Sequence, residues 1–197
     1  MVFVLGLIAS ALVVVMSLTI KRDMIVKMSA LMGIVTTAQY ALLGERSATW
    51  LTSVAFFYAL GLMFAKKFPI MESKRIAFFL LVIYSAGFFI INGFSLSWPL
   101  LAYGASLLGT FMLLVHNPLI LKNMMLINGL LWLGFQLASG AYGQIPGEII
   151  YLFGVITSIT YLMKAKRKGI PLDKVPEFTT ILKRKLEKKK LNKLATA

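Results

Sequence analysis

VFVLGLIASALVVVMSLTI (residues 2–20), then KRDMIVK (residues 21–27), then a second apolar run from Met28 to Leu43: a long uncharged stretch alternates with a short basic one. A helix needs roughly 17 to 25 apolar residues to cross a bilayer. Outward from this opening, five more runs follow: Ala48 to Ala65, Ile76 to Ile91, Trp98 to Val115, Met124 to Ala138 and Ile149 to Met163. The pattern predicts an all-α polytopic membrane protein with seven transmembrane helices. Several runs are short, and flanking lysines such as Lys27 and Lys122 are expected to lengthen them, aliphatic stems in the apolar layer and ammonium groups in water. The sixth run has a second acceptable start near Pro118.

Composition points the same way. Hydrophobic residues make up 59% of the chain and charged residues only 14%, with a mean hydropathy of +0.83. Ordinary globular domains carry roughly 25% charged residues, so lipid rather than a protein core is the expected surrounding for most side chains. The absence of cysteine removes disulfides, thiolate nucleophiles and cysteine metal sites. The first residues lack the charged n-region of a cleavable signal peptide, and the run from Val2 is read as a mature span.

Basic residues fall in alternate loops. Lys21, Arg22 and Lys27 follow the first span, Lys66, Lys67, Lys74 and Arg75 the third, Lys122 the fifth, and Lys164, Lys166, Arg167 and Lys168 the seventh, whereas the other loops hold only Arg46. Lysine and arginine in short loops mark the cytoplasmic face. The expected orientation has the N-terminus outside and the C-terminus inside a bacterial cytoplasmic membrane.

The net charge of +14 is not read as a nucleic-acid signal, because twelve of the 21 basic residues lie from Lys164 onward. Beyond Pro176, Phe178, Ile181, Leu182 and Leu186 give one apolar helical face amid Lys183, Arg184, Lys185, Lys188, Lys189 and Lys190. Such a segment suits anionic lipid headgroups, each basic residue contributing about 1 kcal/mol near the surface.

Met28 to Lys67 and Met124 to Lys168 resemble each other. Gly33 and Gly44 keep the eleven-residue interval of Gly129 and Gly140, so Met32, Thr36 and Tyr40 correspond to Asn128, Trp132 and Gln136. The chain then divides into a first triple-helix bundle (residues 1–67), a linker helix with its loops (68–97), a second triple-helix bundle (98–168) and a basic tail (169–197). The odd linker makes the bundles parallel repeats, a transporter plan with its site between the repeats near the midplane.

The segments Met28-Ser-Ala-Leu-Met-Gly33, Ala41-Leu-Leu-Gly44 and Met163-Lys-Ala-Lys-Arg-Lys-Gly-Ile-Pro-Leu-Asp-Lys-Val175 resemble the YgjV family of bacterial inner-membrane proteins over most of residues 1–176. That family is similar in layout to the SWEET, SemiSWEET and PQ-loop group and to PnuC-type vitamin transporters. The resemblance implies a three-plus-one-plus-three fold and small-solute transport. Spans one and two contain no proline and the chain has no Pro-Gln pair, so no sugar is named.

Asn128, Trp132 and Gln136 recur every four residues and form one helical stripe, and polar amides in hydrocarbon face the bundle rather than lipid. They can hydrogen-bond a polar solute around an aromatic face, or tie neighbouring helices at about 0.6 to 2 kcal/mol each. Thr36 and Tyr40 are expected to form the opposite wall, with Gln39 one position off it, and Thr157 and Ser158 to add hydroxyls. Gly33, Gly61, Gly129 and Gly154 are expected to let helices approach closely. Glu148 after Ile-Pro-Gly is read as an N-terminal helix residue, and His116 as an interfacial loop residue. No catalytic residue, cofactor or metal is expected, because no histidine cluster, paired intramembrane carboxylate or phosphate loop is present. With no acidic residue at a span centre, passive transport of a small polar or uncharged solute is the expected function. A non-transporting scaffold or sensor acting through the basic tail is the alternative, and homo-oligomer formation is left open.

Overall fold

The computed structural model describes residues 1–65, 67–93, 98–172 and 175–176. Among them are seven α-helices, one for each apolar run: α1 (Val2–Leu18), α2 (Arg22–Leu42), α3 (Arg46–Met63), α4 (Lys74–Asn92), α5 (Pro99–Met112), α6 (Pro118–Ser139) and α7 (Ile145–Arg167). Helices α2, α4, α6 and α7 are long and apolar enough to cross a membrane, while α1 and α5 are apolar but shorter. The sixth helix takes the earlier of its two starts. Asn117 caps it, its side chain accepting from the Leu119 and Ile120 amides at 3.0 and 3.3 Å, and Pro118 occupies the first turn, where its missing N–H costs nothing. The amphipathic tail expected beyond Pro176 lies outside the described residues.

Burial is inside out relative to a soluble protein. Large apolar side chains point outward on every helix, among them Phe3, Ile34, Phe57, Phe79, Ile127 and Phe153, whereas Thr36, Gln39, Lys122, Asn128, Gln136 and Glu148 are buried. An exposed apolar girdle of this extent is costly in water and favourable in hydrocarbon, which has no donors or acceptors for the polar groups held inside.

Six helices form a ring of nearest neighbours, α1–α2–α3–α5–α6–α7 and back to α1, and α4 packs on α3 and α5 from outside. Exchanging α1, α2 and α3 with α5, α6 and α7 maps this ring onto itself, as two parallel three-helix repeats with an odd linker require. The register of the repeat is a shift of 96 positions. It takes Arg22, the first residue of α2, to Pro118, the first of α6. The same shift takes Gly44 to Gly140, each ending its helix at φ +75°, a left-handed conformation that favours glycine. It also takes the Gly33–Phe56 approach of α2 and α3 to the Gly129–Leu152 approach of α6 and α7. Gly61 against Met71 and Gly154 against Ser17 are likewise sites where a Cβ would collide. Linker α4 is held by hydrogen bonds from Ser47 to Asn92 (2.7 Å), between Tyr84 and Thr110 (2.7 Å) and between Ser85 and Tyr103 (2.7 Å).

Candidate functional site

On α2, Met32, Thr36 and Tyr40 share one face at four-residue spacing; on α6, Asn128, Trp132 and Gln136 do the same. The two stripes meet in the middle of the ring. The Tyr40 ring stacks on Trp132, centroids 6.0 Å apart and planes 15° from parallel, and Phe135 packs edge-on against both. Beside this stack lie two adjoining cavities of about 50 Å³ and 80 Å³. Met16, Met32, Thr36, Thr52, Asn128 and Trp132 wall both. The first also touches Tyr40, Gln144, Glu148 and Tyr151, and the second Ser106, Gly109 and Thr110 of α5. Walls therefore come from both repeats.

A side-chain amide network closes one end. Gln144 Oε1 accepts from the Tyr40 hydroxyl at 3.0 Å and from Gln136 Nε2 at 2.9 Å, while Gln144 Nε2 donates to Gln39 Oε1. Tyr40 and Gln136 are repeat partners, so each half contributes one arm to the same acceptor. Gln136 thus sits in the closing network rather than in the cavity wall.

Two basic residues close the other end. Lys122 of α6 is fully buried, and its ammonium donates to the carbonyls of Met16 (3.2 Å) and Ser17 (2.7 Å) at the C-terminus of α1. Arg22 of α2 donates from Nε to the Leu113 carbonyl at the end of α5 and pairs with Glu72 at 2.7 Å. Ser17 and Leu113 are again 96 positions apart, so each repeat's second helix sends a cation to the carbonyl end of the other repeat's first helix. Cations are favourable there, because the last carbonyls carry the negative end of the helix dipole. This corrects the reading of Lys122 as a lysine reaching water from a loop: it lies within α6 and satisfies acceptors that hydrocarbon cannot.

Of the residues predicted for the site, Asn128, Trp132, Thr36 and Tyr40 come together at the cavities, Gln136 and Gln39 in the network above them. Thr157 does not join them. It lies on the outer face of α7 with its hydroxyl donating to the Phe153 carbonyl at 2.8 Å, because the buried face of that helix runs through Glu148, Tyr151, Val155, Ser158 and Leu162. Ser158 is buried and donates to the Ser17 carbonyl at 2.9 Å. Glu148 does stand in the first turn of α7, yet it is only 7% exposed and forms part of the cavity wall. Gln144, Glu148 and Tyr151 were not among the predicted site residues, although their spacing of four and three is the signal that puts them on one face. His116 is exposed in the α5–α6 connection. Among the described residues no three His, Asp or Glu side chains gather as a metal site would need.

A ring of apolar-surfaced helices with polar side chains buried inside it defines an integral, multi-pass membrane protein. Residues 2–166 match the family model Imp-YgjV, described as a bacterial inner membrane protein. The chain belongs to this family and sits in a lipid bilayer. Neither a curated protein nor a solved structure matches it.

Proposed function

We propose that this protein is a transporter or facilitator for a small polar solute, which crosses between the two three-helix repeats by way of the cavity beside Trp132 and Tyr40. The observation that carries this reading is a cavity walled by both repeats, mostly apolar but set with Thr36, Thr52, Asn128, Gln144 and Glu148. Polar groups are expensive inside a membrane and, where not used up in packing, mark a solute path. The amide network at one end and the Arg22 and Lys122 bonds at the other are the proposed gates, opening in turn as the repeats rock.

The cavities are far smaller than the roughly 300 Å³ of the smallest usual ligand pockets. The conformation described here is therefore read as closed, and passage requires widening. The proposed role involves no catalysis and no coupling ion, and the proposed orientation, which the basic loops of the sequence support, has the N-terminus outside and the C-terminus in the cytoplasm.

A thermal-shift screen of detergent-purified protein against amines, amino acids, nucleosides, vitamins and sugars tests the reading. A ligand of the folded state stabilises it by about 2.7 kcal/mol at a hundred times its Kd. The expected result is a saturable shift that Trp132→Ala removes. A shift of equal size in Trp132→Ala means the cavity is not the binding site.

A further inference from the structure

One wall of the first cavity sets the buried Glu148 carboxyl and the Asn128 amide beside the Trp132 ring, and that combination names the class of solute. Several of the cavity's donors are committed to the protein. Thr36 donates to the Met32 carbonyl at 2.9 Å, Thr52 to Ala48 at 2.8 Å, Asn128 Nδ2 to Ala105, and Tyr151 to Met125 at 3.2 Å. Tyr40 and the Gln136 and Gln144 amides each donate once within the closing network. The Ser10 hydroxyl, the Trp132 indole N–H and the second N–H of the Asn128 and Gln144 amides stand outside this accounting.

Acceptors are left over. Gln136 Oε1 is buried with no hydrogen-bond partner. Asn128 Oδ1 has no donor among the described residues. The Glu148 carboxylate has the Gln136 amide beside it and no ion pair among the described residues. A buried carboxyl without a counter-charge either stays protonated or gains a positive partner, and a positive group with several N–H donors is the partner this wall does not itself supply. The Trp132 face adds to the match, since an indole ring attracts cations.

We infer that the cavity is a site for a small organic cation of the ammonium or guanidinium type, held by the Glu148 carboxylate, the free amide oxygen of Asn128 and the face of Trp132. Size agrees, because one water occupies about 10–15 Å³ by the same measure and a cavity of about 50 Å³ takes a planar group of a few heavy atoms. This rests on the proposal that the cavity is the solute site, and adds the sign of the solute's charge.

Radiolabelled guanidinium is the probe, at concentrations far below denaturing ones, with full-length protein in detergent for binding and in proteoliposomes for flux. Urea, close to it in shape but neutral, is the competitor. The expected result is saturable guanidinium binding that equimolar urea leaves intact and that Glu148→Gln weakens at least about tenfold, the loss of one hydrogen bond to a charged group. Competition by urea equal to that by unlabelled guanidinium, unchanged binding in Glu148→Gln, or no saturable binding overturns the inference. Should Glu148→Gln fail to fold, the discrimination between guanidinium and urea by the wild-type chain decides. Binding without flux would uphold the cation site and remove the transport reading; protein-dependent flux of a neutral solute without guanidinium binding would do the reverse.

Discussion

Gly33→Ala should destabilise the protein by about 2 kcal/mol, although alanine is the better helix former. A Cβ built at Gly33 lies 2.7 Å from Phe56 Cβ and 3.0 Å from Phe56 Cα, against about 3.5 to 4.0 Å for carbon atoms at their optimum. Neither Phe56 atom can rotate away, so α2 and α3 must separate by about an ångström along their contact. Overpacking of this kind costs about 1 to 3 kcal/mol, at the upper end where the obstacle is backbone, and alanine returns about 1 kcal/mol of helix propensity. At the repeat partner Gly129 the obstacles are Tyr151 Cε1, Leu152 Cδ2 and Glu148 Oε1, side-chain ends that can shift, so Gly129→Ala should cost less. At Gly104 the nearest atom is Leu131 Cδ1 at 3.8 Å, an ordinary contact, and Gly104→Ala should be neutral or stabilising by up to about 1 kcal/mol. Chemical denaturation of the three variants in one detergent gives the order. A Gly33→Ala protein as stable as Gly104→Ala would refute the close approach of α2 and α3 that sets the cavity's width.

Lys122→Met should cost about 1.5 to 3 kcal/mol in the same assay, because it takes a charged donor from the Met16 and Ser17 carbonyls; wild-type stability would mean that the ammonium does not hold the end of α1. Thr157→Val should stay within about 0.5 kcal/mol of wild type and leave solute binding unchanged, and a lost thermal shift would return Thr157 to the cavity. Truncation after Pro176 keeps Val175, which packs with Ile20, Leu162 and Ala165, and should leave flux intact; loss of function with normal insertion would favour a tail-driven scaffold.

The helices were legible because hydrocarbon imposes one rule on all of them: a run must be apolar and long, and charge must leave it. The repeat was legible at the glycines, where close approach and positive φ restrict the side chain, and its residue pairing carries over to Thr36, Tyr40, Asn128 and Trp132 meeting at one place. Polar residues near helix ends were not. Lys122 and Glu148 occur where a loop cation and a capping carboxylate are both ordinary, and only the hydrogen bonds of Lys122 to the end of α1 and the buried face of α7 reveal that both point inward. Thr157 and Ser158 are adjacent in sequence and 100° apart around the helix, so the span alone could not say which of them faces inside.

The absence of cysteine makes the most direct test of the central claim simple. A single cysteine at Thr36, in the wall shared by both cavities, is treated with a water-soluble, membrane-impermeant thiol reagent applied from either side of sealed vesicles. A solute path predicts labelling from both sides, slowed by a bound solute, while Thr157→Cys on the lipid face stays unlabelled. A Thr36→Cys protein as inert as Thr157→Cys, with a loop cysteine such as His116→Cys reacting from one side, would contradict a path between the repeats.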